Sequence, residues 1–213
     1  MLAKTRLRIL LLLMLGSSAG LEMMLSAPSS PSTVTVGSFR KQFRPGFPRP
    51  GWRYLWNESA EIGRTNGYRD LVWNGRDYGS DENPEFPRAA PAGWVNISRV
   101  GGHPGHGKQQ GADFDIYAIA AFTVTDAGSY VITNSFVMRD DGDHLGDINL
   151  RVFVNEQSIG PQIIVNTKTH QPFDRSLGTL QRGDTLYVAI GPNGRDYNDH
   201  FVMDFSIVIV RGD

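Results

Sequence analysis

The stretch FVMDFSIVIV, residues 201–210, decides the fold. Phe201, Met203, Phe205, Ile207 and Ile209 fall at every second position, with Asp204 and Ser206 between them. Alternation with period two puts all five apolar residues on one face of a β-strand; on a helix they would scatter around the axis. The same period recurs upstream. In DIYAIAAFTVT (115–125), Ile116, Ala118, Ala120, Phe122 and Val124 share a face. GSYVITNSFVM (128–138) sets Tyr130, Ile132, Phe136 and Met138 together, and DINLRVFVN (147–155) aligns Ile148, Leu150, Val152 and Val154. In DTLYVAI (184–190), Leu186, Val188 and Ile190 align. Glycine or Asp-Gly punctuates the joins, as in DAGS, DDGDHLGD, QRGDT and GPNGRD. Weaker strands are expected near 52–56, 71–73, 94–98 and 159–165, and no amphipathic helix is expected after the N-terminal segment. Eight to ten strands that must each bury a face and hide their edges predict an all-β, antiparallel jelly-roll β-sandwich.

Three N-terminal features predict export. MLAKTRLRILLLLMLGSSAG has a basic start (Lys4, Arg6, Arg8), an apolar run and small residues at Ser17-Ser18-Ala19. That is the pattern of a secretory signal peptide over 1–19, with cleavage as late as 27. A retained anchor over 9–27 is the alternative; Glu22 and the glycines and serines weaken it. The Ser/Pro-rich segment SAPSSPSTVTVGSFRKQFRPGFPRPG (26–51) resists helix formation. It predicts an extended leader over 20–51, with a short edge strand at Val34–Val36, before a domain at 52–211. The setting is therefore extracytoplasmic: periplasmic, cell-surface or secreted. Cysteine is absent from all 213 residues, so the domain relies on its core and not on disulfides. With a formal net charge of −1 and mixed signs, no basic stripe argues for nucleic acid, and no later run is long enough to span a membrane.

These strands also carry a resemblance. IAAFTVTDAGSYVITNSF, DINLRVFVN and LQRGDTLYVAIGPNGRDYNDHFVMDFSIVI, with GWRYLW and GGHPG upstream, resemble bacterial exported jelly-roll domains similar to carbohydrate-binding modules. The resemblance covers roughly 52–210. It implies the fold, an extracytoplasmic setting and a glycan as ligand; it carries over no catalytic residue.

The pentapeptide NGRDY occurs at 74–78 and again at 193–197. Nothing around the two copies aligns, so they read as the same turn chemistry used twice: Asn-Gly supplies the positive φ angles of a tight turn. Both loops are polar and aromatic. They make Arg76, Asp77, Tyr78, Arg195, Asp196, Tyr197 and Asp199 the candidate ligand-binding residues, joined by Trp56. Trp52, Tyr54 and Trp56 at i, i+2, i+4 offer either a sugar-stacking platform or, the favoured reading, one face of a core.

For metals, MRDDGDHLGDIN (138–149) gathers Asp140, Asp141, Asp143 and Asp147, hard ligands suited to a structural Ca²⁺. His103 and His106 in GGHPGHG offer a softer site, with Asp113, Asp115, His144 or His200 as a third ligand. There is no G-x-S-x-G elbow and no H-E-x-x-H helix. The sequence therefore predicts a non-catalytic exported binding domain with a glycan as ligand. One alternative is an accessory subunit that docks on an envelope protein through the leader; a metal-dependent hydrolase is another.

Overall fold

A computed structural model describes residues 32–58, 61–80, 94–109, 112–140, 146–194 and 199–211. In chain order it contains β1 (Ser32–Ser38), a one-turn helix α1 (Phe39–Gln42), β2 (Trp52–Asn57), β3 (Tyr68–Asp70), β4 (Val72–Trp73) and β5 (Tyr78–Gly79). There follow β6 (Asn96–Ile97), β7 (Gly101–His103), β8 (Gly105–Gln109), β9 (Ala112–Ile116), β10 (Ala118–Thr123) and β11 (Gly128–Arg139). The rest are β12 (Ile148–Val154), β13 (Gln157–Ser158), β14 (Ile163–Val165), β15 (Arg175–Leu180), β16 (Thr185–Gly191) and β17 (Phe201–Arg211).

Two antiparallel sheets form the sandwich. Sheet one runs β15-β11-β17-β7-β6-β5-β4, with β1 also on β17; sheet two runs β13-β12-β16-β10-β2-β3, with β14 on β12. The chain changes sheet at β10–β11, β11–β12, β14–β15, β15–β16 and β16–β17, so the long strands β10, β11, β12, β16 and β17 do not pair with the one next to them in sequence across these joins. That interleaved winding is what the jelly-roll reading requires. A separate hairpin, β8-β9, lies outside both sheets.

The alternating faces meet between the sheets. Phe201, Met203, Phe205, Ile207 and Ile209 of β17 join Ile148, Leu150, Val152, Leu186, Val188 and Ile190 of sheet two in one buried cluster. β17 is the hub of sheet one: β11 pairs along one edge, while β1 (from Ser206) and β7 (at Phe201–Val202) divide the other. β7 comes so close that a Cβ at Gly101 would sit 1.8 Å from the Phe201 carbonyl oxygen.

The structure departs from the simple alternation in two strands. In β11 the register shifts between Thr133 and Phe136, around Asn134 at φ 50°. This bulge reverses the phase. Tyr130 and Ile132 stay inside, but Val137 takes the next interior place; Phe136, expected beside them, turns outward and stacks on His170 at 3.8 Å. In β10 both faces are buried. Ala118, Ala120 and Phe122 look into the sandwich, and Ile119 and Ala121 join Leu55, Tyr117, Phe153, Tyr187 and Ala189 in a second cluster on the outer face of sheet two. The segment 61–68 covers that cluster with Ile62 and Tyr68.

The expected leader boundary at 51 moves. The edge strand suggested at Val34–Val36 exists and is longer, pairing Ser32–Ser38 with β17. The one-turn helix then drives Phe39, fully buried, between the sheets. Its ring stacks on Phe205 at 5.5 Å and meets Trp52 and Tyr54 edge-on at 6.2 and 6.3 Å. The Gln42 carboxamide oxygen accepts the Ser38 N–H and the Trp52 indole N–H, pinning the turn to β2. Residues 32–42 therefore belong to the domain. Phe39→Ala is expected to destabilise the fold by about 3–5 kcal/mol, the cost of a large ring removed from a packed core. Urea unfolding checks it; a loss below about 1 kcal/mol would mean the segment is not docked.

Candidate ligand-binding site

The outer face of sheet two is not covered throughout. Between segment 61–68 and the β8-β9 hairpin lies a pocket of about 660 Å³. Its floor is Asn57, Tyr117 and Arg151; His106, Phe114 and Asp115 of the hairpin form one wall, Glu61 and Ile62 the other, and Gly194 part of the rim.

The floor is a cross-strand row. Asn149 of β12 faces Gly191 of β16, and Tyr117 and Asn57 lie one step beyond the paired Ala118 and Trp56. Gly191 lacks a side chain, and the Tyr117 ring occupies the space: a Cβ there would come within 2.4 Å of Tyr117 Cε1. Burial pushes the Tyr117 phenol above its ordinary pKa, offset by the nearby Arg151 cation and a hydrogen bond with Asn149. Arg151 is fixed by donating Nε and Nη2 to the Gln162 carboxamide oxygen at 3.1 and 3.0 Å.

The wall is equally organised. Asp115 Oδ1 lies 3.0 Å from His106 Nδ1, and Asp115 Oδ2 accepts the Gly194 N–H at 3.2 Å. A carboxylate only accepts, so Nδ1 carries the hydrogen. The pocket thus offers two carboxylates, a guanidinium, an imidazole and aromatic surface, with the two charge signs interleaved.

The two NGRDY copies are different turns. At 193–194 both Asn193 (φ 49°) and Gly194 (φ 91°) are left-handed, as a type I′ turn demands. At 74–77 only Gly75 is left-handed, and the Asn74 side chain accepts the N–H groups of Arg76 and Asp77. Only the second copy reaches the pocket, through Gly194. Register sets Gly79 level with Asn96 and His103, beside the 191–200 connection, so the 74–77 turn points the other way along the strands.

Several expected site residues are therefore corrected. Trp56 is 2% exposed and its face is core, because Trp52, Tyr54 and Trp56 all turn into the sandwich. Tyr78 is equally buried, its hydroxyl donating to the Arg44 carbonyl. Asp77 is buried inside its own turn against Asn74 and Arg76, and Asp199 is fully enclosed. Arg76 is exposed and does not line the pocket. Arg195, Asp196 and Tyr197 lie outside the described residues. So do Asp141 and Asp143 of the expected calcium loop; Asp140 is exposed and Asp147 half-buried. Among the described residues no three His, Asp or Glu side chains gather as a metal site. His103 packs between Trp94 and His200, while His106 turns to Asp115. The sequence reading missed Asn57, Glu61, Tyr117 and Arg151; a polar residue on the outer phase of an otherwise apolar strand, as at Asn149 and Arg151, was the available signal.

No family model matches the sequence, and no curated protein matches it. Solved structures similar in shape include a family 35 carbohydrate binding module from Clostridium thermocellum, at 14% identity and TM-score 0.30 over 50% of this chain and 87% of that one. Another, from an environmental isolate, has 14% identity and TM-score 0.29 over 51% and 74%. A third, solved in complex with a glucuronic acid containing disaccharide, has 15% identity and TM-score 0.28 over 51% and 73%. No residue or ligand is carried over from them.

Two outcomes follow from the floor. Gly191→Ala should displace the Tyr117 ring and cost about 1–3 kcal/mol by overpacking; a crystal structure of the variant with the ring unmoved would refute it. Burial also pushes Tyr68 up to about 12 and raises Tyr78, Tyr130 and Tyr187. With Tyr117, these phenols stay protonated in the folded state after the unfolded chain ionises near pH 10. Their contribution is complete below pH 10 and lost as pH climbs toward 12 and beyond. Absorbance titration at 295 nm should show delayed, cooperative ionisation; a simple curve centred near pH 10 would contradict it.

Proposed function

We propose that this chain is an exported, non-catalytic binding domain and that its pocket takes a small polyhydroxylated ligand, a sugar unit. One observation carries the reading: a pocket of about 660 Å³, within the size range of small-molecule sites, combines donors and acceptors of both signs with aromatic surface. Each sugar hydroxyl needs both a donor and an acceptor, and the ring's C–H face needs an apolar plate. Arg151 supplies donors, Glu61 and Asp115 acceptors, Tyr117 and Phe114 the plates. A site for an isolated anion or cation would carry one sign.

Both Asp115 oxygens are engaged within the protein, which favours holding a ligand over cleaving one. Docking on an envelope partner through the leader is less favoured, because Ser32–Gln42 is already committed to the sandwich. Export rests on the basic, apolar and small-residue N-terminal pattern. Among the described residues, no helix is long and apolar enough to cross a membrane.

The test is a glycan array followed by calorimetry on each sugar retained. Arg151→Ala is expected to weaken binding at least tenfold while leaving stability within about 0.5 kcal/mol, because Arg151 is only half-buried. No retained sugar, or full affinity in the variant, would defeat the proposal.

A further inference from the structure

Among the four tryptophans one is conspicuously exposed. Trp52 and Trp56 are core, Trp73 packs against the core, and Trp94 is 38% exposed. The Trp94 ring lies 5.9 Å from that of His103, which meets the exposed His200 edge-on at 4.7 Å. This surface stands at the end of the sandwich where β11 and β16 finish and β12 and β17 begin, the end that holds the pocket. Two chain segments join the surfaces. β7 carries His103, and three residues later β8 carries His106 of the pocket wall. The β16–β17 connection places Gly194 on the pocket rim and His200 against His103. Three residues span at most about 11 Å, so His103 sits no farther than that from the wall, Cα to Cα.

We infer that the ligand is an oligosaccharide and not a single sugar: one unit enters the pocket, and a following unit stacks on Trp94. The inference rests on the sugar-binding reading of the pocket. Its own support is separate. An exposed indole on an otherwise buried set of tryptophans is hydrated apolar surface that a sugar's C–H face covers favourably. His103 backs the indole, and the exposed His200 ring meets His103 in turn, so the aromatic surface continues past one ring. His103, whose ring is 5.9 Å from the indole, lies within that limit of the pocket wall, so a short chain that starts in the pocket can reach Trp94.

The experiment titrates the mature protein with glucose, galactose, mannose and xylose, and with their β-linked di-, tri- and tetrasaccharides, by calorimetry and tryptophan fluorescence. For the sugar that binds, affinity should rise about tenfold between one and three units, with a fluorescence change only for the longer chains. Trp94→Ala should remove that increment and leave monosaccharide affinity intact; Trp94→Phe should restore part of it. Arg151→Ala should weaken monomer and trimer alike. Equal affinity for monomer and trimer, or a Trp94→Ala protein that keeps the increment, overturns the Trp94 subsite and leaves the pocket standing. Binding of none of these sugars overturns both.

Discussion

β10 is buried on both faces, and the rest of the molecule arranges itself around that constraint. Its inward residues need sheet one, which supplies β17 and β11 across the core. Its outward residues, Ile119 and Ala121 with Tyr117 just ahead, need a second cover that no strand of sheet one can provide. Segment 61–68 supplies part of it: Gly63, at φ +101°, lies so close to Phe153 that a Cβ would fall 2.9 Å from the ring. The β8-β9 hairpin stands beyond it, bringing His106, Phe114 and Asp115 to the same face at Tyr117. Two separate covers over one sheet leave a gap, and the pocket is that gap. Its floor carries Asn57, Tyr117 and Arg151, whereas the fully covered part carries Leu55, Ile119 and Ala189. Polarity follows the cover.

The sequence made legible which face of a strand enters the sandwich. β17, β12 and β16 show period two because every second residue meets the opposite sheet, although Phe153, Tyr187 and Ala189 are buried on the outer face as well. β11 misleads after Thr133 because a one-residue bulge is a local backbone event: Asn134, of a residue type scarce in strands and tolerant of positive φ, is the one mark of the reversal in GSYVITNSFVM. The Ser/Pro-rich segment reads as linker by composition, yet Phe39 stacks on Phe205 of β17, far along the chain, a contact no local pattern reveals. The aromatic alternation at 52–56 showed a face and not which side of it faced water; the favoured core reading is the one observed.

The site was less legible than the fold, for a physical reason. Chemistry-bearing loops attract attention in a sequence because polar residues cluster there, but turns need those same residues. At 74–77 the asparagine and aspartate side chains are consumed in closing the turn. The pocket instead draws one or two residues each from β2, β8, β9, β12, the link between β9 and β10, and two loops. Arg151 lies inside an apolar strand and Tyr117 between two isoleucine-bearing segments, and only the register of sheet two brings them together.

Asn57 shows how tightly this site is bound to the fold. The β2–β10 ladder ends at Trp56 and Ala118, where the chain of β9 arrives from the hairpin. The Asp115 carbonyl and the Tyr117 N–H flank that corner, and a corner this deep leaves few waters for them. One carboxamide serves both: Asn57 Nδ2 donates to the Asp115 carbonyl at 3.1 Å, and Asn57 Oδ1 accepts the Tyr117 N–H at 2.6 Å. Aspartate in its place would offer acceptors to both and repel the carbonyl; an apolar residue would leave two buried backbone groups unmet. Full burial of Asn57 also takes it out of reach as a glycan acceptor, although it opens an N-x-Ser sequence. The same clamp fixes the direction in which the hairpin leaves the sheet, and with it the placement of His106, Phe114 and Asp115 over Tyr117. The wall of the pocket and the end of a sheet ladder are therefore one structural decision, made by one side chain.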